Sequence, residues 1–344
     1  MRVIRLHKPF DLRMHDEPVP QPKAGEVLVR IKSVGICASD VHYYREGRIA
    51  TSVVEQPLIL GHEPSGVIEE LGQGVTGLRA GARVAVEPAK PCWECDLCRA
   101  GYTNVCKDVE FFGAPPVDGA LREFVAWPAR LVVPIPDGVT FDEAAMVEPM
   151  AIGVHTVNLA NMKGGESVAV LGAGAIGLSV LQAARLKKPS IIVVSEPVAE
   201  RRQAALKLGA DAVVDTCCAD SAEQMLAANE DGEFDVVFEC AGEPEAVWQA
   251  PELTRPLGTV VIVGIPVVDE YAFPGGVCRR KELTIQIVRR SRNTAEEAIR
   301  LIEQKLVDVA SYVTHIFPVE KTKEALELAA GKADGVIRAT IHII

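Results

Sequence analysis

The chain has 344 residues, 48% of them apolar and 24% charged, with a net charge of −11 and a pI near 5.3. That length makes room for two ordinary domains, and the acidic balance argues against nucleic acid or an anionic membrane surface as partner. The opening "MRVIRLHKPFDLRM" scatters charges and has no apolar leader core. A cytoplasmic setting is therefore expected, where clustered cysteines mean metal or catalysis more often than disulfides.

Fourteen of the 22 prolines lie in the first 150 residues. The apolar runs there, "EVLVRIKSVGIC", "SGVIEELG", "ARVAVEP" and "REFVAWPARLVVPIP", are short, rich in β-branched residues and cut by Gly or Pro. They predict an irregular β-rich domain. Within it "VGICASDVHYY" supplies Cys37, Ser39, Asp40 and His42, and "LGHEPSG" supplies His62 and Glu63. Further on, "MVEPMAIGVH" supplies Glu148. Cysteine, histidine and carboxylate suit Zn2+, and three protein ligands plus water make an open, catalytic site. Each residue also has a structural reading, and spacing alone does not decide: Cys37 as a small core residue, His62 as a loop histidine, Glu148 as a helix-start charge.

Between these motifs runs "PCWECDLCRAGYTNVC", with Cys92, Cys95, Cys98 and Cys106 spaced C-x2-C-x2-C-x7-C. Four thiolates complete a tetrahedral zinc and leave no open position, so this site braces a loop and cannot activate a substrate. An iron–sulfur cluster of the ferredoxin type needs its fourth cysteine at the position of Tyr102, followed by proline, and Lys107 follows Cys106 here.

Near residue 155 the rhythm changes. "SVAVLG", "SIIVVSE", "DAVV", "FDVVFECAG" and "GTVVIVGI" alternate with segments of helical spacing, and "LTIQIV" reads as a last strand. This predicts βαβ units and a parallel sheet. The eighteen uncharged residues between Glu166 and Arg185 resemble a membrane span in hydropathy alone, but their glycines offer another reading. "VLGAGAIG" places Gly172, Gly174 and Gly177 as G-x-G-x-x-G between a strand and a helix. The backbone at Gly174, Ala175 and Ile176 then opens the helix that receives a pyrophosphate. Glu196 ends the next strand, where a carboxylate accepts from ribose hydroxyls and repels a 2′-phosphate, so NAD is expected over NADP. Arg201 and Arg202 follow closely and leave a route for that phosphate. "TAEEAIRLIEQKLV" predicts a helix beyond the sheet, and "GVIRATIHII" a closing strand.

Together, "GICASDVHYY", "LGHEPSG", the cysteine loop, "FFGAPPVDGALREF", "VEPMAIGVH", "VLGAGAIGL" and "VTHIFPVEK" resemble the zinc-containing medium-chain alcohol dehydrogenases, in particular their polyol (sorbitol and xylitol) branch. The resemblance implies an α/β plus β fold: a GroES-like β-rich catalytic domain over 1–154, completed by 292–344, and a Rossmann NAD-binding domain over 155–291. It implies Cys37 and His62 as catalytic zinc ligands, with Glu63 or Glu148 as the third, and Cys92, Cys95, Cys98 and Cys106 around a structural zinc. Ser39 and His42 match the substrate-hydroxyl and proton-relay positions. Tyr43 and Phe112 match positions that line the substrate, and Arg290 the arginine that orients it. Gly172, Gly174, Ala175, Ile176, Gly177, Glu196 and Arg201 fall at the NAD site. The implied reaction is reversible, NAD-dependent oxidation of a polyol to a ketose by a soluble cytoplasmic homotetramer.

One segment departs from that branch. "IVRRSRNT" puts Ser291 where a tyrosine is usual and adds Arg289 and Arg292. A solvated basic patch is one reading; a pocket for a sugar acid or sugar phosphate is the other, since guanidinium forks match both anions. A threonine or diol dehydrogenase is a further relative on the same scaffold. A silent dinucleotide-binding protein would have no need of an open zinc. Cys217, Cys218, Cys240 and Cys278 lack ligand spacing and read as structural.

Overall fold

The strand Glu26–Gly35 organises the first part of the molecule, as its run of buried valine and isoleucine predicts. A computed structural model describes residues 1–266 and 269–343. They form two compact units, Met1–Glu148 with Ala295–Ile344, and Pro149–Thr294. The change of rhythm near residue 155 thus falls a few residues inside the second unit, because the helix Val147–Leu159 runs across the division.

In the first unit Glu26–Gly35 pairs antiparallel with Glu63–Leu71 on one side and with Arg338–His342 and Phe124–Pro128 on the other. Arg83–Val86 and Val132–Pro134 extend the sheet beyond Glu63–Leu71, and Val313–Pro318 lies parallel to Arg338–His342 at the opposite edge. A smaller sheet joins Asp11–Asp16, Arg2–Lys8 and Leu58–Ile59. The C-terminal segment therefore completes the β-rich unit. Its helix Ala295–Glu303 buries Ala295, Ala298, Ile299 and Ile302, the i, i+3, i+4, i+7 spacing of one apolar stripe. The strand Val313–Pro318 and the helix Thr322–Gly331 were not anticipated from sequence.

The second unit is one six-stranded parallel sheet. Its order across the sheet is Ala212–Val214, Ile191–Ser195, Ser167–Leu171, Phe234–Glu239, Thr254–Ile262 and Thr284–Ile287. The order reverses between Ser167–Leu171 and Phe234–Glu239, so the first and fourth strands of the unit are neighbours, the doubly wound arrangement of dinucleotide-binding sheets. Ser167–Leu171 is buried along its whole length, which explains a run without polar alternation. The eighteen uncharged residues divide into this strand, a turn and the helix Ala175–Arg185. Among the described residues no helix is long and apolar enough to cross a membrane.

Candidate active site and metal centres

Strand register assembles the first cluster. Gly35, the last residue of Glu26–Gly35, lies opposite Glu63, the first of Glu63–Leu71. Residues just past one strand and just before the other must therefore share an edge, and Cys37 and His62 do. Cys37 Sγ, a ring nitrogen of His62 and a carboxylate oxygen of Glu63 all lie within 4.8 Å of one another. Glu148 stands outside that set, although its charge, after burial and Cys37, helps to push the Glu63 carboxyl up. A Cβ on Gly35 would collide with Glu63 Oε2, so only glycine leaves room for this carboxylate.

The helix Ala38–Glu46 begins at Cys37. Asp40, on its first turn, accepts the Cys37 N–H and the Gly61 N–H, each at 2.9 Å. The same carboxylate stands 3.5 Å from His62 Nδ1, which leaves Nε2 facing the cluster. Burial disfavours the His62 imidazolium, but Asp40 and then Cys37 outweigh it and push the imidazole well up. Burial likewise pushes the Cys37 thiol up; His62 and Arg338 more than offset this and bring it down to about 5. Cys37 is therefore poised as a thiolate, the form that binds metal.

Arg338 was not anticipated. It is one cation inside the apolar strand Arg338–His342, whose pairing sets it beside Cys37. Its Nη1 donates to the Ile36 carbonyl, and Nη2 stands 3.0 Å from Glu63 Oε1. Despite that ion pair, neither Glu63 oxygen sits in hydrogen-bond geometry with a donor among the described residues, and both are buried. A thiolate, an imidazole nitrogen and an under-satisfied carboxylate converging at this range fit a three-ligand zinc site.

The second cluster is the loop from Cys92 to Cys106. Its four sulfurs also lie within 4.8 Å of one another. Cys92 to Cys106 is 3.5 Å, and Cys92 to Cys98 and Cys95 to Cys106 are 4.0 Å. All four are free thiols. Thiolates at the usual zinc–sulfur distance form a tetrahedron with edges of roughly 3.8 Å, so this cage fits zinc without rearrangement. The Cys95 and Cys92 N–H groups point at sulfurs of the cage, each at 3.3 Å, as expected where anionic thiolates need donors.

In the second unit the turn after Ser167–Leu171 carries Gly172 at φ 98, left-handed backbone that glycine tolerates without strain. A Cβ on Gly177 would strike the Gly172 carbonyl, so the helix can lie this close to the strand only with glycine there. A Cβ on Gly174 would meet nothing. The space before the N-terminus of Ala175–Arg185 is open, as a pyrophosphate cradle requires. Glu196 is buried beside it, accepting the Ala173 N–H at 2.7 Å and the Val198 N–H at 3.1 Å. Arg202 is committed elsewhere, to the Glu196 and Pro197 carbonyls and to Asp215.

The pattern for the Alcohol dehydrogenase GroES-like domain matches residues 23–137, and that for Zinc-binding dehydrogenase matches residues 175–304. A sorbitol dehydrogenase of Bacillus subtilis is 35% identical over 329 residues, 96% of this chain and 93% of that enzyme. An L-idonate 5-dehydrogenase of Vitis vinifera is 36% identical over 322 residues, 91% of this chain and 88% of that enzyme. In structure, an Escherichia coli oxidoreductase/dehydrogenase of unknown specificity superposes with a TM-score of 0.94 at 34% identity, covering 100% of this chain and 99% of its own. The chain belongs to the zinc-dependent medium-chain alcohol dehydrogenases, in their polyol dehydrogenase branch.

As a medium-chain alcohol dehydrogenase it is an oxidoreductase with one catalytic and one structural zinc site. The remaining residues singled out by sequence separate into groups. Ser39 reaches the catalytic cluster, its Oγ 3.4 Å from His62 Nε2. His42 and Tyr43 follow on the same helix, and Tyr43 is nearly buried. Phe112 is fully buried and packs on Trp127 with ring centroids 3.9 Å apart; the ring facing His62, at 5.2 Å, belongs to Phe111. Arg290 has left-handed backbone, φ 55, in the second unit; Arg289 is exposed. The charge of Arg292 reaches His155 within the same unit.

Proposed function

We propose that this chain oxidises a secondary hydroxyl of a neutral polyol to a ketone, with NAD+ as the hydride acceptor. The single observation that carries the reading is the converged set of Cys37, His62 and Glu63 in a chain akin to sorbitol dehydrogenases. The first unit is then catalytic and the second binds the cofactor. When bound, zinc supplies Lewis acidity at the substrate oxygen and the nicotinamide supplies the acceptor for hydride.

The chain's own residues do the rest. Cys37 and His62 hold the metal, with Glu63 as the third ligand and Glu148 as a second carboxylate close by. Asp40 fixes the tautomer and angle of His62. Ser39 takes the hydroxyl proton and His42 passes it to solvent, a relay supported by the 3.4 Å approach of Ser39 Oγ to His62 Nε2 and by the shared helix. Tyr43 and Phe112 line the position of the substrate, with the ring of the neighbouring Phe111 facing His62 beside them. Glu196 favours NAD because a 2′-phosphate would meet a buried carboxylate, and the commitment of Arg202 strengthens that preference.

A sugar-acid substrate is the second reading, favoured by the similarity to an L-idonate dehydrogenase and by the run of Arg289, Arg290 and Arg292. NADH formation across neutral polyols, aldonates and polyol phosphates separates the two. The expected result is the highest kcat/KM with a neutral polyol. A clear preference for the matching aldonate or phosphate would replace the first reading by the second.

A further inference from the structure

The helix that carries Ser39 also carries Tyr43, one turn further on and hence on the same face. Ser39 Oγ lies against His62, so that face runs from the metal centre outward. At its far end the Tyr43 hydroxyl meets Ser52 Oγ at 2.9 Å. From this geometry we propose that Ser52 determines specificity, by binding a substrate hydroxyl beyond the reacting carbon. The proposal rests on the polyol reading above and names a recognition element for it.

The placement of Ser52 is built into the backbone. Gly47 ends the helix in the left-handed region, φ 67, with its N–H on the Tyr43 carbonyl. The chain turns back at once: Arg48–Ile49 pairs with Ser52–Val53, Ile49 lying opposite Ser52. Ala50 takes φ 49 in the two-residue turn, and the Arg48 guanidinium clasps its carbonyl at 2.6 and 3.0 Å. The Val54 N–H closes the loop onto the Gly47 carbonyl. Tyr43 and Ser52 are thus held in register by hydrogen bonds that no substrate has to supply, which lowers the entropy cost of using them.

The chemistry follows from the hydroxyl inventory. Either hydroxyl can donate across this contact; in the arrangement where Tyr43 donates to Ser52 Oγ, the one a substrate acceptor selects, the Ser52 O–H is the group left to give. Ser39 and Tyr43 lie roughly 5–6 Å apart along the helix face, so the substrate atom meeting Ser52 is well beyond the carbon whose hydroxyl meets Ser39. A polyol presents a hydroxyl there. A simple secondary alcohol presents a methyl or methylene, which desolvates the serine without pairing it. Sites built around a hydroxyl discriminate by this penalty more than by the bond itself.

The test is the ratio of kcat/KM for the best neutral polyol to that for 2-butanol, measured by NADH formation. It is compared among the unaltered protein, Ser52→Ala and Ser52→Thr, with zinc content confirmed in each. Ser52→Ala is expected to lower the ratio about tenfold, mainly through KM for the polyol, and Ser52→Thr to restore most of it. A ratio that does not move in Ser52→Ala overturns the inference, whether both rates hold or both fall together, while the polyol reading stands. If the unaltered protein oxidises no polyol, that reading falls and the role of Ser52 falls with it.

Discussion

Arg338 holds a full charge at 5% exposure, facing Glu63 and Cys37. Burial pushes the Glu63 carboxyl up toward its neutral form, so the charge that Arg338 chiefly compensates is the Cys37 thiolate, which it helps to bring down to about 5. A buried charge left uncompensated costs about 3–5 kcal/mol at most. Arg338→Met is therefore expected to raise the Cys37 thiol pKa, read from the pH dependence of its alkylation rate without metal, and to destabilise the protein less when zinc is present to hold the thiolate. An unchanged thiol pKa would show that Arg338 does not act through Cys37. Glu196 is the corresponding residue of the second unit. Glu196→Ala removes the acceptor of the Ala173 N–H as well as the charge that opposes a 2′-phosphate. The ratio of kcat/KM for NAD to that for NADP should fall about tenfold or more, read from initial rates with both cofactors. An unchanged ratio would remove Glu196 from cofactor choice.

Two elements of the second unit carry opposed pH dependence. Glu239 ends the strand Phe234–Glu239, where Oε1 accepts the Ala241 and Gly242 N–H groups and Oε2 is buried without a hydrogen bond among the described residues. Burial pushes Glu239 up to about 7. A carboxyl with a raised folded-state pKa favours folding below about 4.5, and that contribution is lost as pH rises through about 7, by about 3 kcal/mol at most. His155, on the helix Val147–Leu159, is pushed down to about 4 by burial and then by Arg292. A histidine with a lowered pKa stabilises above about 6.5, and the contribution is lost as pH falls toward 4. The two slopes oppose each other between about pH 4.5 and 6.5. Glu239→Gln keeps a carbonyl for the two N–H groups and removes the titration. Its urea midpoint should rise from pH 5 to pH 8 relative to the unaltered protein; parallel profiles would contradict the assignment.

Elements also decide what the sequence made legible. The cysteine loop and the glycine turn are local, so spacing exposed the first, and spacing with the flanking strand, helix and Glu196 the second. Cys37, His62 and Glu63 were legible as ligand types, but only the register of Glu26–Gly35 against Glu63–Leu71 brings them to one edge. Arg338 escaped because its partners lie some 300 residues earlier and meet it only through sheet pairing. Phe111, whose ring faces His62, escaped because nothing in its spacing sets it apart from the Phe112 that the motif singled out.

At the scale of the whole molecule, the two metal clusters lie in the first unit and the glycine turn in the second, so their roles can be removed separately. Cys92→Ser should lose the structural zinc and lower the melting temperature by several degrees, while folded molecules keep their turnover; loss of turnover in a folded variant that still holds the other zinc would make that cage catalytic. The centre formed by Cys37, His62 and Glu63 is expected to perform the reaction. The most direct measurement is zinc content together with NADH formation from a polyol in Cys37→Ser. The expected result is a folded protein that keeps the zinc of the four-cysteine cage, loses the other, and forms no NADH. Undiminished turnover in a protein that has lost that zinc would contradict it.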